Sequence, residues 1–403
     1  MKATIETALT TASEHDNYRT LETSIDEDRE QQYNIKCETP GDVATFDFVG
    51  MASAIFNDPG TTRLVMLLYY VNIFLVLGNY ILVMSHAVIA LFDSGGNGGG
   101  VLSCVPIAGL FASTLMFAVC QLSTMAKLGR TASNVSLSAL GVVLLQCLYF
   151  SRTNTNANDG SDNFEGNAVG LRLLLRQMSA CGSIGFAVGS QKLFLNIRHE
   201  FANRSDAPKS LGMALATFGS VYVFIVLAAG ENPPGMLFDA IPRGTIHRQA
   251  AGLFLWIHVV VSYAINSQAI CASMDRNFFG GWEPVLTWSD RRRWTALTAF
   301  MASSAFFVAN AVPFFKDLVA FCGALTSVPL TLLLPAVFYR HACENVAVWL
   351  PPLDWEALVA CRSCASYALL VFSSLFMVLA TLGSVYSILS DWEHRTGGFF
   401  SCQ

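Results

Sequence analysis

Charge is what this sequence has least of. Asp, Glu, Lys and Arg make up 13% of its 403 residues, about half the share expected of a soluble domain. With 53% hydrophobic residues and a mean hydropathy of +0.47, polar groups are too few to cover the apolar surface, which therefore needs lipid. No basic block is present and the net charge is −5, which excludes a nucleic-acid binder. Histidines never occur at the clustered spacings that a membrane metalloenzyme needs, so no metal or cofactor site is read. A glycine-rich phosphate loop is also missing, which removes nucleotide hydrolysis as a source of drive. No nucleophile–base pair stands out, so the chain does not read as an enzyme. Nor does it open with the basic start and short apolar core of a signal peptide.

The few charges are unevenly spread. Residues 1–63 hold twelve acidic and five basic residues, a balance of −7, and the remaining 340 carry about +2. Residues 1–43 are polar with few large apolar side chains and read as a solvated, disordered cytoplasmic tail. Eleven cysteines are present, but Cys104, Cys120, Cys147, Cys181, Cys271 and Cys322 fall in apolar runs, where a thiol behaves as a small hydrophobe. Cys361-Arg-Ser-Cys364 is a lone Cys-x-x-Cys at the head of an apolar run and reads as structural.

A spanning helix needs roughly 20 apolar residues. Nine stretches qualify: residues 64–92, 101–122, 133–150, 171–195, 211–230, 250–271, 294–312, 318–339 and 361–389. The fold class is all-α, a polytopic membrane helix bundle over residues 44–390, followed by a short tail at 391–403. With the N-terminal tail cytoplasmic, inside loops hold ten basic residues and outside loops seven, a majority in the expected direction. The sequons at Asn134 and Asn203 fall at a helix start and in an inside loop, so neither argues for glycosylation.

The fourth stretch is the most informative. Gly182, Gly185 and Gly189 stand among Ser179, Ser183 and Ser190, which weakens a helix in mid-membrane. Two readings fit: a break lining a cavity, whose half-helix ends present free backbone groups, or close packing through small residues. Lys192 follows at once, where an intramembrane cation either faces a cavity or snorkels to the interface. His86 and His258 are the other ionisable groups inside spans, either proton acceptors or hydrogen-bonded bundle residues. No Asp or Glu sits deep in a span. Asn72, Asn79, Tyr263, Asn266 and Gln268 are polar at mid-span and must face the bundle.

Three motifs in order resemble one family. Val312-Pro313-Phe314-Phe315-Lys316-Asp317-Leu318, running to Gly323-Ala324-Leu325 and on to Pro329 and Pro335, looks like the signature of the amino acid/auxin permease family. Tyr70-Val71-Asn72-Ile73-Phe74 with Gly78-Asn79-Tyr80 is similar to its third helix. Ser190-Gln191-Lys192-Leu193-Phe194 with the loop from Arg204 to Lys209 resembles its broken sixth helix. The resemblance implies a secondary transporter of the five-plus-five inverted-repeat fold, moving amino acids by symport, usually with protons, sodium being the other ion to consider.

On that footing the nine spans match the third to eleventh helices, so the family's first two helices are missing. The resemblance therefore implies half of a substrate site. An unwound stretch Gly182–Ser190 (Gly182, Ser183, Gly185, Gly189, Ser190) would offer backbone and small side chains to an amino acid, and alternating access would turn on it. Asn79 with Tyr263 and Asn266 would complete a cavity wall. Lys192, His258 and His86 are the candidates for ion coupling or gating. The alternatives are a transport-inactive sensor or partner subunit, whose acidic tail recruits a cytoplasmic partner, or a truncated transporter fragment. The membrane, plasma or vacuolar/lysosomal, is not fixed by the sequence.

Overall fold

A computed structural model describes residues 47–56, 58–93, 103–121, 129–155, 170–199, 206–229, 236–280, 288–311, 315–346 and 355–393, with residues 203 and 234 between them. The described residues are helical and contain no strand. In order the helices are α1 (Phe48–Phe56), α2 (Pro59–Phe92), α3 (Val105–Val119), α4 (Gly129–Thr155), α5 (Leu171–Ala187) and α6 (Phe194–His199). Then come α7 (Ala207–Ala229), α8 (Ile246–Phe279), α9 (Trp288–Ala311), α10 (Phe315–Cys322), α11 (Leu334–Val346) and α12 (Trp355–Glu393). The acidic tail read at residues 1–43 lies outside the described residues, as does the C-terminal segment after residue 393.

Seven helices are long and apolar enough to cross a bilayer, the α10–α11 run counting as one. They correspond to seven of the nine expected spans. The second expected span is a 15-residue helix, α3, about 22 Å long at 1.5 Å per residue. The fourth is divided: α5 ends at Ala187, the 3₁₀ turn Gly189–Leu193 follows, and α6 resumes at Phe194.

The bundle is built around α2. Asp58 caps it, its carboxylate accepting from the Thr61 N–H, and Pro59 occupies the first turn, where a missing N–H costs nothing. Tyr69, Ile73, Leu77, Ile81, Leu82 and Met84 along α2 are fully buried. Helices α8, α9, α3, α1 and α10 pack on it. In contrast, none of the most apolar stretch of α7 is buried in the protein, so that helix presents Phe218, Phe224, Val226 and Leu227 outward, as a lipid-facing span does. Polar ties cross between helices: Ser113 donates to the Ala302 carbonyl at 2.8 Å and Trp294 Nε1 to the Cys120 carbonyl at 3.0 Å.

The glycines of α5 are explained by contact, not by unwinding. Gly182 and Gly185 lie within continuous α-helix, so the stretch expected to unwind from Gly182 does so only after Ala187. A Cβ at Gly182 would overlap the Ala320 carbonyl and reach the Ser384 hydroxyl at 3.0 Å, and one at Gly185 would stand 2.6 Å from Val328. From the other side, a Cβ at Gly323 would overlap the Gly182 carbonyl. On α12, a Cβ at Gly383 would lie 2.5 Å from the Leu175 carbonyl and the Ser179 amide. Three helices, α5, α10 and α12, thus meet backbone to backbone.

One cysteine differs from its expected role. Cys104, at the entrance to α3, is disulfide-bonded, whereas its apolar surroundings read as those of a plain hydrophobe; local hydropathy does not register a thiol's bonding. Cys120, Cys147, Cys181, Cys271 and Cys322 are free thiols.

The glycine contact makes a graded prediction. Overpacking costs about 1–3 kcal/mol and sometimes more, whereas Gly→Ala in open helix gains up to about 1 kcal/mol. Gly323→Ala should lower the thermal midpoint of the purified chain by several degrees. Gly219→Ala, with open space around it, should leave it equal or higher; equal midpoints for the two variants would refute the contact.

Candidate functional site

Two helix irregularities face one another. In the run from α10 to α11, the segments Gly323–Ser327 and Pro329–Leu333 are wound as π-helix. Pro329 has no N–H to give, and a wider turn relieves the clash of its ring with the preceding carbonyls. Side chains bond back to carbonyls of the run: Thr326 donates to the Cys322 carbonyl and Thr331 to the Ser327 carbonyl, each at 2.8 Å. The 3₁₀ turn Gly189–Leu193 packs on both π segments, and a Cβ at Gly189 would stand 3.0 Å from Ser327.

Helix α2 closes the third side. Asn72 is fully buried, and both amide hydrogens are used: Nδ2 donates to Thr326 Oγ1 at 2.7 Å and to Ser327 Oγ at 2.9 Å. Its Oδ1 is buried with no partner among the described residues. The Cys322 thiol lies 3.8 Å from Asn72 Nδ2 and within electrostatic reach of Lys192. Lys192 is 4% exposed, and among the described residues no acidic side chain pairs with it. Burial this complete rules out snorkelling to the interface. An amide oxygen without a described partner, a thiol and two hydroxyls thus lie together, with the Lys192 amine within electrostatic reach of the thiol.

The expected site residues separate into groups around this centre. Gly189 and Lys192 belong to it, while the Ser190 side chain lies outside the described residues. Asn79 follows Asn72 by two turns on the same side of α2 and buries an Oδ1 with no partner among the described residues. Asn266 donates to the Ser262 carbonyl at 2.9 Å and approaches Tyr80 Oη at 3.5 Å, and Tyr80 is in electrostatic reach of Cys322. Tyr263 is buried beside Cys120 and Cys271 instead. His258 is held by Ser136 of α4, its Nδ1 2.9 Å from the hydroxyl. His86 lies towards Asp239 and Arg248, which pair at 3.0 Å near the entrance of α8. Ser183 faces away from the centre into a pocket at the α5 entrance.

Two buried carboxylates escaped the sequence reading. Asp317, 1% exposed, accepts from Ser387 of α12 at 2.7 Å. Asp47, equally buried, accepts from the Gly50 N–H at 2.7 Å and from the Ser273 hydroxyl. Asn277 donates to Tyr70 Oη at 2.9 Å beside them, so a polar clamp ties α1 to α2 and α8. Each acid lies at the edge of an apolar run, where residue type alone reads as loop; only partners tens or hundreds of residues away reveal the burial. Asn72, by contrast, was legible as a mid-span amide.

These features define a polytopic helical membrane protein with a polar centre where two irregular helices meet. The chain belongs to the family of transmembrane amino acid transporter proteins, whose profile matches residues 35–385. It is similar to Amino acid transporter AVT1H of Arabidopsis thaliana, with 22% identity over 348 residues, covering 83% of this chain and 75% of that one.

Removing the Asn72 amide leaves two buried hydroxyls without their donor, a loss of about 1–3 kcal/mol. Asn72→Ala should therefore depress the thermal midpoint, and Asn72→Ala in a Thr326→Ala, Ser327→Ala background should cost much less. Additive losses would show that the amide does not tie these residues together.

Proposed function

We propose that this chain carries amino acids across the bilayer by gradient-driven secondary transport, with the centre at Asn72, Lys192 and Cys322–Ser327 as its substrate and coupling site. One observation carries the reading: a buried lysine with no acidic partner among the described residues is in electrostatic reach of the thiol that Asn72 approaches, and the Asn72 amide oxygen is itself without a described partner. An α-amino acid presents the complement of that set. Its carboxylate suits a protonated Lys192, and its ammonium suits Asn72 Oδ1 and carbonyls released by the π turns. Among members of the family, the similar Arabidopsis protein is itself described as an amino acid transporter.

Alternating access then turns on the 3₁₀ turn at Gly189–Leu193, later along the chain than the glycine run suggested. A lysine that takes up a proton before it pairs with the substrate carboxylate, and releases that proton after the substrate leaves, couples transport to protons without a carboxylate relay. His86, which lies towards Asp239 and Arg248, and His258, held by Ser136, are secondary candidates for that role.

The tail is assigned to the cytoplasm. Besides the basic-residue count, Cys104 supports this, because a persistent disulfide belongs to an oxidising, non-cytosolic face. The entrances of α3, α5 and α10 and the end of α12 then share that face. An Asn-Gly-Thr sequon inserted into the Gly95–Gly100 run should be glycosylated in cells, while Asn203, already in an Asn-Arg-Ser sequon, stays unmodified. Glycosylation at Asn203 would reverse the orientation.

The transport test is uptake of tritiated amino acids into proteoliposomes holding the full chain, with and without an inward proton gradient. Gradient-stimulated uptake is expected, reduced at least tenfold in Lys192→Met at equal reconstitution. Absence of uptake by correctly inserted protein, or unchanged uptake in Lys192→Met, would refute the reading in whole or in its coupling step.

A further inference from the structure

A second polar cavity, of about 470 Å³, opens where α5 and α10 begin and α12 ends. It falls within the roughly 300–1,000 Å³ of small-molecule sites. Its walls come from three elements: Arg176, Ser179 and Ser183 of α5, Asp317 of α10, and Tyr386, Ser387, Ser390 and Asp391 of α12. Polar side chains are ordinary where spans end, but here those of three helices line one shared space. Asp317 is 1% exposed and held by Ser387 at 2.7 Å, which fixes one carboxylate oxygen in the wall. Arg176 stands on the opposite wall with its side chain exposed to the cavity mouth, and no described ion pair engages it.

The base of this cavity is the glycine contact. Gly182 on the Ala320 carbonyl and Gly323 on the Gly182 carbonyl close the space between α5 and α10 immediately below Ser183 and Asp317. Beyond that seal lies the Asn72–Lys192 centre. Asp317 precedes Cys322 by five residues, about 7 Å of helix. The cavity and the centre are thus stacked along the same two helices, with a backbone contact between them.

We propose that this cavity is a separate binding site for an α-amino acid zwitterion, which holds the ligand outside the glycine seal. Arg176 takes the carboxylate, as a guanidinium fork does. Asp317 and Asp391 take the ammonium, and the serine and tyrosine hydroxyls complete its hydrogen bonds. The side chain of the ligand points to the open mouth, so the site reads the zwitterion and tolerates many side chains. The proposal rests on the reading that amino acids are the substrates, but not on transport taking place.

Equilibrium binding to the full chain in lipid nanodiscs tests it, using tritiated L-alanine, L-glutamine and L-arginine. Competitors are each amino acid's amide, which lacks the carboxylate, and its N-acetyl form, which lacks the ammonium. The expected result is that the Arg176→Gln, Asp391→Asn double variant loses one equivalent of saturable binding per chain. Arg243→Gln, on the same face but outside the cavity, should keep it, and neither class of competitor should displace it within tenfold of the parent amino acid. Arg176 is exposed and Asp391 half-buried, and an unchanged thermal midpoint checks that the variant is folded; a variant with a lowered midpoint is replaced by Ser390→Trp, which fills the cavity. Binding unchanged in number and affinity in the folded variants overturns the proposal, as does equal competition by the amide or N-acetyl forms, or no saturable binding by the parent chain. Uptake that fails while this binding persists counts against transport alone. Uptake that persists with binding insensitive to these variants counts against the cavity alone.

Discussion

In lipid, a backbone N–H or C=O without a partner has no water to turn to, and this one constraint organises the chain. Irregular helix is tolerable only where protein surrounds it. Here the two irregular segments, the 3₁₀ turn Gly189–Leu193 and the π turns of Gly323–Leu333, are set against each other and against α2. Thr326 and Thr331 donate to carbonyls of the π run, and Asn72 donates to the hydroxyls of Thr326 and Ser327. Each irregularity makes the other possible, and together they leave polar groups at a depth where none is otherwise affordable.

Helix α2 is what allows this. It is the most enclosed of the spanning helices and presents Asn72 and Asn79 from a face that lipid never meets. The outer helices have the opposite balance: α7 buries none of its most apolar stretch and faces lipid directly. A bundle in membrane gains little from hiding apolar side chains, since lipid receives them equally well. Close approach of small residues and interhelical hydrogen bonds must do what a hydrophobic core does in water. The glycine contacts between α5, α10 and α12 and the ties at Asn72 and Asp47 are those two kinds of force.

How much of this was legible in the sequence follows from which interactions are local. Membrane spans are, and seven of nine expected stretches are spanning helices. Family membership was legible too, because the Pro-Phe-Phe-Lys-Asp run and the Ser190–Phe194 motif are contiguous. The placement of the helix break was not. Gly182 and Gly185 each cost a helix about 1 kcal/mol by propensity, which reads as a break until the partners at Ala320 and Val328 are known. The cavity formed by Arg176, Asp317 and Asp391 was hidden for the same reason. Its residues come from three stretches spanning 215 positions of chain, and each looks like an ordinary span end. Cys104 is the sharpest case, since a thiol in an apolar run carries no mark of its bonding.

The seal between cavity and centre has a consequence for how the chain can move. Packed helices change state by sliding or rotating as units, not by stretching. The Gly182–Gly323 contact leaves no room for a side chain on either surface, so backbone packed on backbone lies between the two polar spaces. In the proposed alternating access α5 shifts relative to α10, and the place where each helix would hinge is where its winding changes. On α5 it is Val188–Gly189, where α-helix gives way to 3₁₀. On α10 it is Gly323, where α-helix gives way to π. The contact and the two hinges fall within a few residues of one another, so the stiffest packing in the protein lies beside its least regular backbone. A ligand that binds better with the helices apart biases that balance only by its differential affinity for the open arrangement. In the proposed transport cycle, the Asn72 oxygen and Lys192, neither partnered among the described residues, would supply such a difference, because a zwitterion would satisfy both.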